Sequence, residues 1–516
     1  MVWKIDNPQC NESKKIVWEV APYLRGRGLD IGAGDFKILP HAISVDNLNH
    51  QQFGFMIKPD LVAEADKLDM IASSSMDWVY SSHTLEHVDD MAVTLKEWWR
   101  VIKQNGLLIL YLPHADFYPS IGKPGANPDH KRDFRPADVI GAMPTGWELL
   151  ERQDRNEDQE YSFLLVFKKI GGKENKTSLP QTAKKTACVV RYGAFGDLMQ
   201  ASSVIKGLKD QGYHVTLHSA SPGCVVMENN PNIDKMIVFD KDQVPNANLA
   251  DFWAWQRKKY DKFVNLSESV EGTFLAMPGR TIDGWAPMIR HKLMNHNYLQ
   301  IQHELAGVPH EPQVKFYPTP EEQLWAKQVR NKMAPGPVVV YSLAGSSVHK
   351  TWSGMDHVIA GIMLHSDETT VVLVGGPEGV ILEAGWENEK RVAKTCGKWS
   401  IRQTLAFLDQ ADIIIGPETG VLNAAACLPI PKIVFLSHST HENLTRDWVN
   451  VYPISSKITS CPGRGNNDAP ACHQLHFGWS RCKKDENTST AQCQADIDPQ
   501  DVYSAMEECL IRASKK

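Results

Sequence analysis

Long apolar runs are missing from this sequence. No stretch approaches the roughly 18 consecutive apolar residues of a membrane-spanning helix, and the opening MVWKIDNPQCNESKKIVWEV has no apolar core of the secretory type. The expected compartment is therefore the cytoplasm. A basic surplus is missing too: 55 Lys and Arg stand against 61 Asp and Glu, a formal net charge of -6. No global attraction to nucleic acid or anionic membrane is expected from that balance. Cysteine is scarce, ten in 516 residues, too few for a disulfide scaffold. Low-complexity tracts and short-period repeats are also absent, which argues against tails and solenoids. What is there is ordinary globular material, 42% hydrophobic and 22% charged, so wholesale disorder is excluded. At roughly 150 residues per domain the length corresponds to about three domains.

Strands and helices alternate along two stretches of the chain. Upstream, β-rich runs at 28–31 (GLDI), 43–46 (ISVD), 77–81 (DWVYS) and 107–112 (LLILYL) are separated by helix-like segments, and 147–150 with 163–167 suit an antiparallel hairpin at a sheet edge. Strands joined by helical crossovers imply a mostly parallel sheet covered on both faces. A Gly-, Lys- and Thr-rich stretch over 171–185 reads as a linker. The same alternation restarts at 187–191 (ACVVR) and again after Pro335 with 338–342 (VVVYS), 370–374 (TVVLV), 412–415 (DIII) and 432–435 (KIVF). Between these two sets, PTPEEQLWAKQVRNKM suits a helix bridging two lobes. The expected organisation is an α/β domain over 1–170, a linker over 171–185, and two α/β lobes over 186–317 and 318–516.

The first strand runs directly into Gly32-Ala33-Gly34-Asp35. Glycines at such a turn let backbone N–H groups approach a ligand with no Cβ in the way. The second strand ends in Asp46, where a carboxylate can accept both hydroxyls of a ribose, and Asp66 follows near a third. Gly34 and Asp46 are closer than the roughly 20 residues of dinucleotide sites. Together with DWVYSSHTLEHVDD and WWRVIKQNGLLILYLPH, these residues resemble class I S-adenosylmethionine-dependent methyltransferases of the type 11 kind over most of 20–170. The resemblance implies a Rossmann-like domain that binds S-adenosylmethionine: Asp30, Gly32 and Gly34 at the methionine part, Asp46 at the ribose, Asp66 at the adenine amine. Phe36 stands where a third glycine is often found. His83-Thr84-Leu85-Glu86-His87 also spells an inverted zinc-protease motif. It follows a strand at the place of the methyltransferase Leu-Glu-His signature, so the protease reading is set aside. His83, His114 and His130 are candidate bases for an acceptor, each with a structural role as the alternative.

After the linker, the strand ACVVR leads into Arg191-Tyr192-Gly193-Ala194-Phe195-Gly196-Asp197. A carboxylate at this turn can serve as a general base or can cap the helix that follows. Downstream, Ser346 and Ser347 in YSLAGSSVHKTWSG, and Thr419 and Gly420 in GPETGVLN, expose backbone donors suited to a diphosphate. Lys350 adds a point charge, while Glu378 and Glu418 can accept sugar or ribose hydroxyls. These ordered motifs resemble glycosyltransferase family 9, the heptosyltransferase-like enzymes of the GT-B fold with two facing Rossmann-like lobes, over about 186–510. The resemblance implies that Asp197 is the catalytic base and that Lys350 binds the diphosphate of a nucleotide-sugar. It also implies that Glu378 binds the nucleoside, and that Glu418, Thr419 and Gly420 hold phosphate and sugar. Glu418 stands where the family commonly has Asp, and Asn423 where it commonly has His. Both departures fall near the transferred sugar and leave its identity open.

Cys461, Cys472, Cys482 and Cys493, with His473 and His476 nearby, lack the C-x-x-C spacing of strong zinc sites. Structural zinc, a disulfide and buried thiols are all compatible with them. The expectation as a whole is a bifunctional transferase: metal-free inverting glycosyl transfer from a nucleotide-sugar to a glycan or lipid-linked glycan, as in lipopolysaccharide assembly, plus methyl transfer. One alternative makes 1–170 a non-catalytic docking module. Another is a phage-type enzyme that modifies nucleic-acid bases. Overall acidity counts against that one, and KKIGGKENK reads as a solvated linker.

Overall fold

A computed structural model describes residues 12–48, 58–157, 160–179, 185–240, 243–244, 246–268, 296–345, 350–437, 439–457 and 484–513. The chain divides into two compact units, Met1–Ala183 with Phe239–Lys259, and Lys184–Val238 with Tyr260–Lys516.

Unit 1 is built on an eight-stranded sheet. Its strands are β1 (Gly28–Ile31), β2 (Ile43–Asp46), β3 (Leu61–Val62), β4 (Met76–Ser82), β5 (Ile102–Pro113), β6 (Trp147–Arg155), β7 (Ser162–Lys169) and β8 (Lys176–Thr177), in the order β3-β2-β1-β4-β5-β7-β6-β8. The first five are parallel, and β7 and β6 form the antiparallel hairpin at one side. β4 shows how sequence period sets the layers. Trp78 and Tyr80 join one apolar cluster with Ile16, Val17 and Tyr111, while Val79 between them joins the cluster of Leu95, Trp98 and Phe163 on the other face. Burial on both faces is what near-continuous apolar strands predict. The helix Met91–Val101 starts where Asp90 accepts the N–H groups of Ala92 and Val93, and it presents Leu95, Trp98 and Trp99 to the sheet.

Two features of unit 1 differ from the sequence expectation. The stretch read as a linker supplies β8, which pairs with β6, and Asn175 Oδ1 accepts the Gly146 N–H at 2.9 Å. Loop-type composition did not prevent this edge pairing, because a two-residue strand needs only backbone groups. Residues 239–259, expected within the first downstream lobe, cluster with unit 1 instead. The helix Leu249–Arg257 sets Phe252 and Trp255 against Trp18, with ring centroids 6.0 and 5.7 Å apart. Arg25 pairs with Asp240 at 3.1 Å, Lys259 pairs with Glu19, and Gln243 donates to the Ala21 carbonyl.

Unit 2 holds two fully parallel sheets. The first comprises β9 (Thr186–Val190), β10 (His214–Ser219), β11 (Lys235–Val238) and β12 (Lys262–Asn265), in the order β11-β10-β9-β12. The second comprises β13 (Val338–Ser342), β14 (Thr370–Val374), β15 (Val392–Lys394), β16 (Ile413–Pro417), β17 (Lys432–Leu436) and β18 (Val451–Ser455), in the order β15-β14-β13-β16-β17-β18. One apolar cluster runs from Val189 and Leu198 of the first lobe to Leu422 and Val434 of the second. The carboxy-terminal helix Pro499–Ala513 places Val502, Met506 and Cys509 on the outer face of the second sheet. The bridging helix, Pro320–Arg330, begins with a reciprocal cap. Thr319 Oγ1 accepts the Glu322 N–H at 3.1 Å, and the Glu322 carboxylate accepts the Thr319 N–H at 2.8 Å. Among the described residues no helix is long and apolar enough to cross a membrane.

Candidate functional sites

Open parallel sheets collect ligands outside the carboxyl ends of their strands, where strand order reverses. In unit 1 the reversal lies between β1 and β4. A cavity of about 540 Å³ opens there, walled by Gly32 and Gly34 after β1, Asp46 at the end of β2, Asp66 after β3, and His83 and Thr84 after β4. That volume lies in the range of roughly 300–1,000 Å³ typical of small-molecule sites. Gly32 and Gly34 have φ of 75° and 55°. At Gly32 a Cβ would also stand 1.9 Å from Thr84 Oγ1, so that position favours glycine on both counts. Asp46 Oδ2 accepts the Gly34 N–H at 3.1 Å, and its Oδ1 accepts the Leu48 N–H at 2.9 Å. A carboxylate has about four acceptor positions, so Asp46 is oriented and still able to take ligand hydroxyls. The loop carrying Asp66 is fixed by Trp98, whose Nε1 donates to the Ala65 carbonyl at 2.7 Å.

Asp30 departs from its expected role. The residue is 1% exposed and is not among those walling the cavity, and its carboxyl accepts the Ile38 N–H at 2.7 Å. Burial pushes its pKa up to about 7. The residue braces the chain after the Gly turn; alternation along β1 turned it inward.

The three candidate histidines separate clearly. His83 borders the cavity, with φ of 48° and Nε2 2.9 Å from Ser162 Oγ, and burial holds its pKa down to about 3. It is a neutral imidazole at physiological pH. His114 Nδ1 accepts the Asp116 N–H at 3.1 Å, and its ring stacks on Phe117 at 4.3 Å, away from the cavity wall. His130 is buried and faces Glu86. His83 and His87 do not share a helical face, since only Leu85–His87 form a single tight turn. The inverted protease geometry is therefore not formed.

In unit 2, Asp197 lies in the first turn of the helix Phe195–Asp210. Its Oδ2 accepts the Ala194 N–H at 2.9 Å, and its Oδ1 pairs with Arg191 Nη2 at 2.9 Å. The Asp197 side chain is 29% exposed whereas that of Arg191 is 3% exposed. A carboxylate held on two sides and open on a third can act on a ligand without searching for its position. Gly193, with φ of 135°, leaves room for this carboxylate: a Cβ there would meet Asp197 Oδ2 at 2.3 Å. Arg191 has no role in the motif as read from sequence; its place directly after β9, six residues before the acid, is the signal that marks it.

The start of this helix meets the second lobe at the Thr419-Gly420 turn. A Cβ on Gly196 would come within 2.8 Å of Gly420 Cα, and one on Gly420 within 2.2 Å of the Phe195 ring. Asn423 Oδ1 accepts from Gln200 Nε2 at 3.1 Å, and Gln302 donates to Gln200 Oε1 at 3.2 Å. Asn423 thus links the lobes. Thr419 Oγ1 lies 3.0 Å from Ser342 Oγ, both buried. Glu418 departs from the expected sugar contact. It is 2% exposed, and its Oε1 accepts from Ser437 N at 2.6 Å and Ser437 Oγ at 2.8 Å, fixing the loop after β17. Lys350 follows β13 and packs over Gly345, whose N–H donates to the Lys350 carbonyl at 2.9 Å. Glu378 is exposed just after β14. Lys350, Glu378 and Thr419 therefore share the carboxyl edge of one sheet, whose strand order reverses between β13 and β16. Ser346 and Ser347 lie outside the described residues, as do Cys461, Cys472, Cys482, His473 and His476. Cys493 is buried in the short helix Gln492–Ala495.

A switch-point cavity in unit 1 and a held, partly open carboxylate in unit 2 give this α/β chain two candidate sites. Residues 29–110 match the methyltransferase domain family, and residues 256–474 match glycosyltransferase family 9 (heptosyltransferase). The chain is an enzyme in which a methyltransferase domain is fused to a glycosyltransferase of the family 9 type. Similar solved structures include a family 9 glycosyltransferase from Veillonella parvula, at 14% identity and TM-score 0.47, covering 64% of this chain and 99% of that one. The ADP-heptose lipopolysaccharide heptosyltransferase II of E. coli is similar at 13% identity and TM-score 0.44, covering 63% and 99%. A SAM-dependent methyltransferase of Thermotoga maritima, described as a possible histamine N-methyltransferase, is similar at 16% identity and TM-score 0.23, covering 30% and 90%. No curated protein matches the sequence.

Proposed function

We propose that this chain is a cytoplasmic bifunctional transferase. Unit 2 transfers a sugar from a nucleotide-sugar to a hydroxyl of a glycan or lipid-linked glycan with inversion, and unit 1 transfers a methyl group from S-adenosylmethionine to the same product or a related one. The observation that carries the first activity is the Asp197 carboxylate, held by Arg191 and the Ala194 N–H while partly open. As general base it takes the acceptor proton while the acceptor oxygen attacks the anomeric carbon and the nucleoside diphosphate departs. Lys350 and the backbone donors at Thr419 and Gly420 are suited to the departing charge. Glu378 is suited to the nucleoside. Glu418 acts one step removed, through the loop it holds.

The second activity is supported by the methyltransferase family match and by the cavity at the switch point of unit 1. Gly32 and Gly34 admit the methionine part, Asp46 accepts the ribose hydroxyls and Asp66 the adenine amine. Joining the two sites in one chain raises the local concentration of one product at the other site.

Mass spectrometry of reactions with a panel of sugar nucleotides and glycan acceptors tests the first site. Asp197→Ala is expected to lower transfer by at least about a hundredfold, as for general bases, with the donor KM little changed. Retention of transfer within a few-fold of the unmodified enzyme would remove Asp197 from the role of base. For the second site, calorimetry is expected to show S-adenosylmethionine binding that Asp46→Ala weakens. No heat at millimolar ligand would favour the docking-module alternative.

A further inference from the structure

Glu86 is wholly buried, and its carboxylate oxygens find no hydrogen-bond partner among the described residues beyond its own backbone N–H. A bare buried carboxylate is costly unless something pairs with it. Three imidazole nitrogens converge on its Oε1: His83 Nδ1 at 3.7 Å, His130 Nε2 at 3.8 Å and His87 Nε2 at 4.0 Å. These separations are too long for hydrogen bonds. They are close to the roughly 3.3 Å between two ligand atoms that share a tetrahedral metal with bonds of about 2.0–2.1 Å. Ligand atoms of Glu86, His87 and His130 all lie within 4.8 Å of one another.

The His87 ring is also prepared for coordination. His87 Nδ1 lies 3.1 Å from the Asp129 carbonyl, which can only accept, so Nδ1 carries the proton and Nε2 presents its lone pair toward Glu86. An imidazole whose far nitrogen donates to a backbone carbonyl is the usual outer arrangement of a metal ligand. His83 is held differently, with Nε2 engaged at Ser162 Oγ, and stands behind the other three as a supporting group.

We infer that Glu86, His87 and His130 form a binding site for a divalent transition metal, with an open coordination position toward the unit 1 cavity that His87 borders. Two imidazoles and one carboxylate select zinc or iron(II) over magnesium and calcium, which prefer oxygen donors. Three protein ligands with an open position are the pattern of reactive rather than purely structural sites. The sequence reading expects no metal here. The His83-to-His87 pentapeptide is set aside there because it follows a strand at the place of the methyltransferase Leu-Glu-His signature, whereas His130, more than forty residues on, completes a different ligand set. The inference concerns metal binding and does not depend on methyl transfer by unit 1.

The test uses the full chain, stripped with chelator and titrated with cobalt(II) and zinc. Cobalt on imidazole and carboxylate ligands gives visible ligand-field bands without the near-ultraviolet thiolate band that a site at the late cysteines would add. The expected result is one such site, lost in both Glu86→Gln and His130→Ala. Zinc should also raise the melting temperature of the unmodified chain, because a ligand that binds only the folded form stabilises it, and His87→Ala should abolish that rise. The variant at the cavity rim keeps the test informative if the buried variants fail to fold. A chain that shows no cobalt spectrum at millimolar metal overturns the site. So does a thiolate-free spectrum that survives in both Glu86→Gln and His130→Ala, or a melting shift that survives in His87→Ala.

Discussion

Asp30 shows how one residue can fit a motif and still act elsewhere. The acidic-Gly-x-Gly pattern nominates it for the ligand, but the side chain turns inward from β1 to the Ile38 N–H. With its folded pKa raised from 3.8 to about 7 by burial, the folded state holds a proton that the unfolded chain releases. Its contribution to stability is therefore fully present below about pH 4 and is lost as pH rises through 7. At about 1.4 kcal/mol per pKa unit, the loss is on the order of a few kcal/mol. Asp30→Asn keeps an acceptor for Ile38 and removes the titration. Urea unfolding from pH 4 to 8 should show the variant gaining on the unmodified protein as pH rises. Parallel curves would mean that Asp30 is not held protonated.

Between elements, the closest approach that matters for chemistry is the meeting of two helix starts, Phe195-Gly196 from one lobe and Thr419-Gly420 from the other. It depends on the absence of two Cβ atoms, since either would fall within 2.8 Å of the opposing group. Gly196→Ala is expected to force these starts apart, costing about 1–3 kcal/mol as overpacking does, and to lower glycosyl transfer because Asp197 rides on the same turn. Chemical denaturation and kcat together check this; unchanged stability with unchanged turnover would show that the helix starts have room to spare. Glu418 belongs to this scale also. Its two short bonds to Ser437 couple the turn after β16 to the loop after β17, a task a longer acid can reach. Sequence spacing placed it correctly at the turn but could not say which way the carboxylate points.

Across the whole of unit 2, Arg402 joins both lobes and the bridge between them. Its guanidinium pairs with Glu322 at 2.6 and 2.8 Å and donates to the carbonyls of Val225, Glu228 and Tyr317. Arg402→Met leaves Glu322 and three carbonyls without this donor. The expected loss lies toward the lower end of the roughly 3–5 kcal/mol for breaking a buried pair, since the Glu322 side chain is 18% exposed. A fall in the melting temperature of unit 2, with that of unit 1 unmoved, is the calorimetric signature; a shift below one degree would make the contacts incidental. Much at this scale was legible beforehand, because apolar strand runs, Gly turns and the Thr319 cap are local patterns with local causes. The change from the first α/β stretch to the later ones was readable for that reason, and Gly32, Gly34, Asp46, Asp66 and Asp197 stood out as candidates on local pattern alone. The placement of 239–259 with unit 1 was not legible, since Trp18, Phe252 and Trp255 carry no mark of their mutual contact in sequence. The sequence by itself determined the α/β alternation and the positions of the turns, because each follows from periodicity and backbone freedom within a few residues, and it carried the motifs by which the chain resembles two transferase families. Only the tertiary structure decided which carboxylates face a ligand and which brace a loop, and that His130 meets Glu86, because side-chain direction and long-range proximity are set by packing among elements far apart in the chain.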